Sequence, residues 1–547
     1  MTVRELRAQL AADNDLGIGN VLSTLIARTG DAAESVLSFD TEVDGRPAWQ
    51  GMTLLDLDLS VSARAAWFHA RGVRSRDAVA VYVSTAADQV LAYLALTRIG
   101  AIPALINGRM DGATARAYLG KVSPGALLTD AEHRAALGSG LVDALHADVA
   151  EISAGDPGQA PPQYRYDPGD AAVITHSSGT TGLPKPVIAT HSSLFASVRH
   201  RLALPKPRTI DRMLSALPAN HAAMVIAVNL ALCSGIEFLQ LSEQDGAAVL
   251  DAIQSWRPSC VFGFAATWPQ LLAHDLRDYD LDSVQLWWNT GDCAHEAHIR
   301  RLVSVGHRLV ATTGGIVREA GASFIDGLGS SEMGHSMFFI THTAKTDRYN
   351  RCIGKPHAFA DVAVLDDMAS PLPAGQVGQL GVRSPTLSPG YWNDSATTYS
   401  SRRGGYFLTG DLVYRDEAGY FYHVDRVADS VGLSDGQSLY TAQSEERVLA
   451  ACPDVLDCTI VAVAAADGTV ATDVLLTIDP AADTAGDRSA QVMAALDHHV
   501  AATVRTVVVV GDDVIPHGPT GKVRKVTLRE RYARAGSDTE REGVGVA

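Results

Sequence analysis

The 547-residue sequence has six cysteines, at 233, 260, 293, 352, 452 and 458, but no Cys-x-x-Cys pair and no His/Cys cluster at zinc-site spacing. This excludes the common zinc modules and points to reduced, mostly buried thiols in a reducing compartment. The first residues, MTVRELRAQLAADND, are charged and lack an apolar core, so a signal peptide is not expected and a cytoplasmic protein is. No apolar run is long enough for a membrane span. The most apolar stretch, 222–236, is broken by Asn229 and Ser234 and reads as a buried helix. Basic residues are few, 45 Lys+Arg against 62 Asp+Glu, for a formal net charge of −17. A sequence-independent grip on nucleic acid needs a basic surface and is excluded. A small anion held by a few donors in a cleft is not. Internal repeats and low-complexity tracts are also missing.

Apolar residues make up 46% and charged residues 20%, the balance of a soluble globular protein. A chain this long buries a large core without disulfides or metals. Short apolar runs alternate with helical spacing over the first 420 residues. The spacing predicts a strand at 79–83, a helix at 87–100 and a strand at 101–106. Further strands are expected at 213–217, 261–264 and 284–289. This is an α/β pattern with a mostly parallel sheet. Four prolines in 155–168 suggest a surface linker between two lobes. From residue 455 the texture becomes that of a small α+β domain. Its strands are expected at 458–463, 471–478 and 503–510, with a helix at 489–500. The polar, Gly-rich tail is expected to be disordered.

The most informative stretch is Val173-Ile-Thr-His-Ser-Ser-Gly-Thr-Thr-Gly-Leu-Pro-Lys185. Gly179 and Gly182 permit a backbone that turns N–H groups inward, while Ser177, Ser178, Thr180 and Thr181 add hydroxyls and Lys185 a positive charge. Together these suit a polyphosphate. The spacing is not that of a G-x-x-x-x-G-K-[ST] loop.

Four further segments follow in order. They are Asp326-Gly-Leu-Gly-Ser-Ser-Glu332, Ser388-Pro-Gly-Tyr-Trp392, Phe407-Leu-Thr-Gly-Asp411 and Pro516-His-Gly-Pro-Thr-Gly-Lys522. With the loop at 177–185 they resemble the five signatures of the superfamily of AMP-forming acyl-CoA ligases, nonribosomal-peptide adenylation domains and luciferases. The second signature is closest in form to aryl-CoA ligases. The resemblance covers roughly residues 50–530. It implies a large N-terminal domain of mixed α/β sheets (1–425), a mobile α+β domain (426–534) and a disordered tail (535–547).

The resemblance also implies roles. Ser177, Ser178, Gly179, Thr180, Thr181, Gly182 and Lys185 would cradle ATP, with Thr180, Thr181 and Lys185 on its β- and γ-phosphates. Asp326, Gly327, Leu328 and Gly329 would form part of the nucleotide site. Ser331 would bond the α-phosphate, and Glu332 would ligate Mg²⁺ together with Thr180. Asp411 would accept from the ribose hydroxyls, and Arg426 would contact ribose or phosphate. Lys522 would bridge the attacking carboxylate and the α-phosphate. The acid pocket would be lined by His221 and by Thr290, Gly291 and Asp292.

The departures lie at the hinge. Relatives carry Arg-x-Asp-Asp-x-x-Lys-x-x-Gly there. This chain has Arg426-Val-Ala-Asp-Ser-Val-Gly432, so Ala428 replaces the acid and Gly432 the lysine. In the acidic pair that follows, Gln443 stands at one position and Glu445 at the other. The adenylation residues are intact and those of the thioester-forming pose are degraded. The expected reaction is activation of a carboxylic acid as its adenylate, followed by transfer to coenzyme A. The alternative acceptors are an amine, a carrier-protein thiol supplied in trans, or another small nucleophile. A few family members activate an unusual small oxyacid. A nucleotide-binding pseudoenzyme is the remaining alternative.

Overall fold

The computed structural model of the chain describes residues 2–30, 33–138, 144–177, 182–206, 209–465, 468–479, 482, 486–518 and 521–534. Two sheets carry most of it. A six-stranded sheet runs in the order Leu145–Asp148, Ala126–Thr129, Ala78–Tyr82, Ile102–Ile106, Ala171–His176 and Pro186–Thr190. Every neighbouring pair is parallel except the last. The expected strand–helix–strand unit is present, with its helix at Ala86–Arg98 and Thr85 capping it by accepting from Asp88 N–H. The larger sheet has thirteen strands. It opens with six parallel ones: Leu37–Phe39, Glu237–Gln240, Arg212–Ser215, Cys260–Phe264, Leu286–Thr290 and Ser323–Asp326. It then turns antiparallel from Phe338–His342 onward. Strands covered on both faces read as continuous apolar runs, which is why their positions were visible in the sequence. The helix Ala222–Ser234 is buried at every position. Among the described residues no helix is long and apolar enough to cross a membrane, and all six cysteines are free and buried.

Two expectations are corrected. The segment 155–168 does not separate lobes, because the strands on either side of it belong to the same six-stranded sheet. It is docked along its length. Tyr166 Oη donates to Thr97 O at 2.7 Å, and Tyr164 N–H donates to Arg98 O at 2.8 Å. A Cβ on Gly155 would lie 2.0 Å from Ala63 O. The helix expected at 489–500 is two pieces, Ser489–Ala495 and His498–Ala501, interrupted where Leu496 turns extended.

A separate sheet pairs Val455–Ala464 antiparallel with Val470–Ile478, and the latter parallel with Val504–Val509. Leu439, Val448, Leu449, Ile460 and Leu476 form part of its own apolar core. One buried carboxylate helps to join it to the large sheet. Asp425, near the end of the strand Phe421–Arg426, is 1% exposed. It accepts from Thr441 N–H, Thr441 Oγ1 and Ala442 N–H at the start of the helix Thr441–Ala451. The helix's own N-cap, Tyr440, makes no side-chain cap, so a strand residue satisfies its first donors. Removing a buried acceptor costs about 1–3 kcal/mol. Asp425→Ala is therefore expected to speed amide exchange at the first turn of this helix by roughly 5- to 150-fold. Unchanged exchange there would show that the cap is not needed.

Candidate active site

The phosphate-loop candidate begins where the six-stranded sheet ends. His176 pairs with Pro186 across the last two strands. Ser177 N–H donates to Lys185 O at 3.1 Å, and Lys185 N–H donates to Ser177 Oγ at 3.0 Å, closing the neck of the loop. Gly182 has φ +154°. Ser178, Gly179, Thr180 and Thr181 lie outside the described residues. Lys185 Nζ sits 5.4 Å from the centre of the Tyr391 ring, and Tyr391 Oη donates to Glu332 Oε1 at 3.1 Å. The third motif is bound to the strand leaving the loop, with Trp392 N–H donating to Pro186 O and Ile188 N–H to Gly390 O. Three motifs distant in sequence thus meet at Glu332.

Beneath them lies a knot around His176. Its Nδ1 donates to Ser177 O at 3.0 Å, so Nε2 is free to accept from Asn220 Nδ2 at 2.9 Å and Asn107 N–H at 3.3 Å. Ser331 Oγ donates to His176 O at 3.1 Å and lies 3.5 Å from His221 Nε2. The tautomer of His221 follows from its own helix. Its Nδ1 accepts from Ala223 N–H at 3.1 Å, capping Ala222–Ser234, so the ring proton is on Nε2. Burial, then the charges of His176 and Lys522, push its pKa down to about 3. His221 therefore presents a neutral N–H donor.

Asp326 is turned into the protein. It accepts from Asn289 Nδ2 at 2.6 Å, Gly327 N–H at 2.8 Å and Ala294 N–H at 3.2 Å. Burial pushes it up to about 6 against these bonds. Leu328 is buried in an apolar cluster. Gly327 has no room for a side chain, since a Cβ would lie 2.3 Å from Ser336 Oγ. These residues shape the motif, while Gly329 faces a cavity.

Across the cleft, Asp411 lies opposite Arg426 in adjoining strands, 3.3 Å from its Nε and 3.6 Å from His423 Nε2. Burial works to raise its pKa, but Arg426 and His423 outweigh it and hold the carboxyl below its usual range. Arg351 Nη2 donates to His423 Nδ1 at 2.7 Å, which leaves the His423 proton on Nε2, toward Asp411. Asp292 receives Lys522 Nζ at 3.5 Å and Arg351 Nη2 at 3.6 Å. Lys522 Nζ also donates to Gly291 O at 3.0 Å. Lys525 is occupied elsewhere, by Glu445 Oε1 and Thr441 Oγ1, each at 2.7 Å.

Two spaces adjoin at the strand end Thr290–Gly291–Asp292. The larger, about 600 Å³, is lined by Asp292, Arg351, His423, Arg426, Ala428 and Lys522. The smaller, about 40 Å³, is lined by His221, Phe262, Trp288, Thr290, Gly291 and His335, among others. Asp292, expected in the acid pocket, faces the larger cleft. Sequence reasoning missed His176, Arg351, His423 and His335. Of these, His335 lies three residues past Glu332 and His423 three before Arg426, so their neighbourhood was the only signal. Among the described residues no group of three or more His, Cys, Asp or Glu side chains is placed to hold a metal.

The family model described as "AMP-binding enzyme" matches residues 31–392. A 3-aminoavenalumate diazotase from a Streptomyces species is 43% identical, over 97% of this chain and 98% of its own. A feruloyl-CoA synthase from an Amycolatopsis species is 27% identical over 75% of this chain and 80% of its own. The fold matches the crystal structure of an anthranilate CoA ligase in complex with anthranoyl-AMP, with a TM-score of 0.82, 19% identity, and 96% and 99% of the two chains covered. The chain belongs to the AMP-binding enzyme family, and it is an AMP-forming, acid-activating ligase.

Proposed function

We propose that this enzyme adenylates a small oxyacid, nitrous acid foremost, and passes the activated nitrogen to an aryl amine. The observation that carries this reading is the 43% identity, over 97% of this chain, to the 3-aminoavenalumate diazotase. The cavity beside His221 is also narrow, about 40 Å³ against about 600 Å³ for the adjoining cleft, which favours a small acid. Making a diazo group joins an amine nitrogen to a second nitrogen at the oxidation level of nitrous acid. The hinge supports it too, since Ala428 and Gly432 stand where the thioester-forming pose of the resembled family has an acid and a lysine.

In the proposed first step, a nitrite oxygen attacks the α-phosphorus of ATP and the bond to pyrophosphate breaks. Both reactants are anionic, so catalysis is alignment and charge neutralisation. Lys522 supplies the positive charge beside Gly291, where the two spaces meet. His221 donates its Nε2 proton to the oxyanion, and Ser331 lies next to it for the α-phosphate. Asp411 accepts from the ribose, with Arg426 beside it. The loop 177–185 and Lys185 take the outer phosphates. Glu332, with Thr180, would hold Mg²⁺. A magnesium ion binds through one or two carboxylates and the nucleotide's phosphates, and would neutralise the leaving pyrophosphate, so a single facing carboxylate suits it. Residues 426–534 would move as a unit about Arg426, and the contact of Lys522 with Gly291 is the pose for adenylation.

A second reading, an aryl- or acyl-CoA ligase, is favoured by the form of the segment from Asp326 to Glu332 and by the feruloyl-CoA synthase relative. It requires the small cavity to open on binding. A carrier protein in trans would serve as acceptor by the same route. The assembled phosphate, ribose and lysine groups weigh against a pseudoenzyme.

Exchange of labelled pyrophosphate into ATP separates these readings. Nitrite is expected to support exchange, benzoate- and cinnamate-type acids to support little, and coenzyme A to change neither rate. Brisk exchange with aryl acids and CoA-dependent AMP release would sink the proposal in favour of the CoA ligase. Lys522→Ala is expected to lower acid-dependent exchange by roughly 10²–10³-fold. A rate near that of the parent enzyme would remove Lys522 from the first step.

A further inference from the structure

The small cavity holds two imidazoles whose protons are fixed in opposite senses. His221 offers an N–H, as described. His335 borders the same space, but its Nδ1 donates to Ser336 O at 2.6 Å, so its Nε2 carries a lone pair. Among the described residues that Nε2 has no protein partner. The other polar side chains lining the cavity are Thr290, Ser330 and Ser336. Hydroxyls are poor bases, and Ser336 Oγ is already bonded to Leu328 O and Phe338 O. Among the described residues no aspartate or glutamate lines the cavity. An oxyanion needs donors and gains nothing from an acceptor. A free ring nitrogen is suited instead to a group that brings its own N–H.

We propose that His335 accepts the proton released when the amine attacks the activated nitrogen. This rests on the function proposed above and adds a residue to its second step. The amine lone pair forms the N–N bond to the nitrosyl nitrogen. The N–O bond to phosphate breaks, and AMP leaves with that electron pair. One N–H proton passes to His335 Nε2, leaving a neutral N-nitrosamine, which tautomerises to the diazohydroxide and, on protonation, loses its oxygen as water to give the diazonium product. The aryl body lies in the larger cleft, which adjoins at Gly291.

The surroundings of His335 set its strength. His357 and Phe359 lie edge-on to it, His200 lies edge-on to those two rings in turn, and Arg201 stands near enough to oppose its charge. Burial and then Arg201 hold it neutral, with a pKa pushed down to about 3. A weak base is enough here. The nitrogen giving up the proton bears a full positive charge and a nitroso group, which makes it far more acidic than an ordinary anilinium.

The test separates the half-reactions in the full-length enzyme, with nitrite as the acid and 3-aminoavenalumate as the amine. His335→Ala removes part of the wall of the acid cavity, so nitrite-dependent pyrophosphate exchange is expected to fall by far less than transfer does, and measurable exchange also reports that the variant folds. Diazo product formed in a single turnover should fall by roughly 10²–10⁴-fold. Added imidazole should restore part of that loss in His335→Ala but not in His335→Phe, whose ring fills the space. Transfer at the parent rate, or exchange and transfer falling together, would overturn the role of His335 alone. No nitrite-dependent exchange in the parent enzyme would overturn the function and this role with it.

Discussion

One lysine in a C-terminal turn meets one carbonyl at the end of a parallel strand, and the geometry of the site depends on that meeting. Lys522 reaches Gly291 from 231 residues away in sequence. It brings a positive charge to the boundary between the smaller cavity, proposed for the acid, and the larger cleft, proposed for the nucleotide. Asp292 next to it draws on Lys522, His423, Arg351 and Arg426, and together these outweigh its burial to hold it ionised. In an acidic protein, four cationic or protonatable groups are thereby kept around one point. Two anionic reactants can approach there without meeting net negative charge.

What the sequence made legible was local. The loop at 177–185, the segment 326–332 and Asp411 are contiguous runs, so their residue types alone carried the chemistry. The parallel strands were legible because burial on both faces leaves uninterrupted apolar runs. What stayed hidden depends on contacts between distant segments. The tautomer of His221 is set by a helix N-terminus, that of His423 by Arg351, and the place of Tyr391 by Glu332. The segment 155–168 looked like a linker because prolines resist regular structure. Its two tyrosines, which dock it, carry no such local mark. The size of the acid cavity is likewise a property of packing among Phe262, Trp288 and the helix Ala222–Ser234, and no single residue announces it.

Family membership settles that the enzyme activates an acid through AMP, and it leaves the acceptor to local chemistry. Two features bear on it from opposite ends of the site. Ala428 and Gly432 stand where the resembled pattern has an acid and a lysine, and the cavity proposed for the acid is small. The carboxylate of Asp425 adds a mechanical point. By binding the first turn of Thr441–Ala451 it fixes that helix to the last strand of the large sheet, so any swing of the C-terminal segment must carry or break this bond.

The six buried cysteines acquire a meaning under the proposed chemistry. A nitrosyl donor made inside a protein attacks thiolates readily, and an exposed cysteine would be the first casualty of each leaked turnover. Here all six sulfurs are enclosed, and burial pushes every thiol above its ordinary range, Cys233 to about 12 and Cys352 to about 11. Thiolate, the reactive form, is thereby suppressed throughout the chain. Under that chemistry, such burial would let the catalyst survive its own reagent.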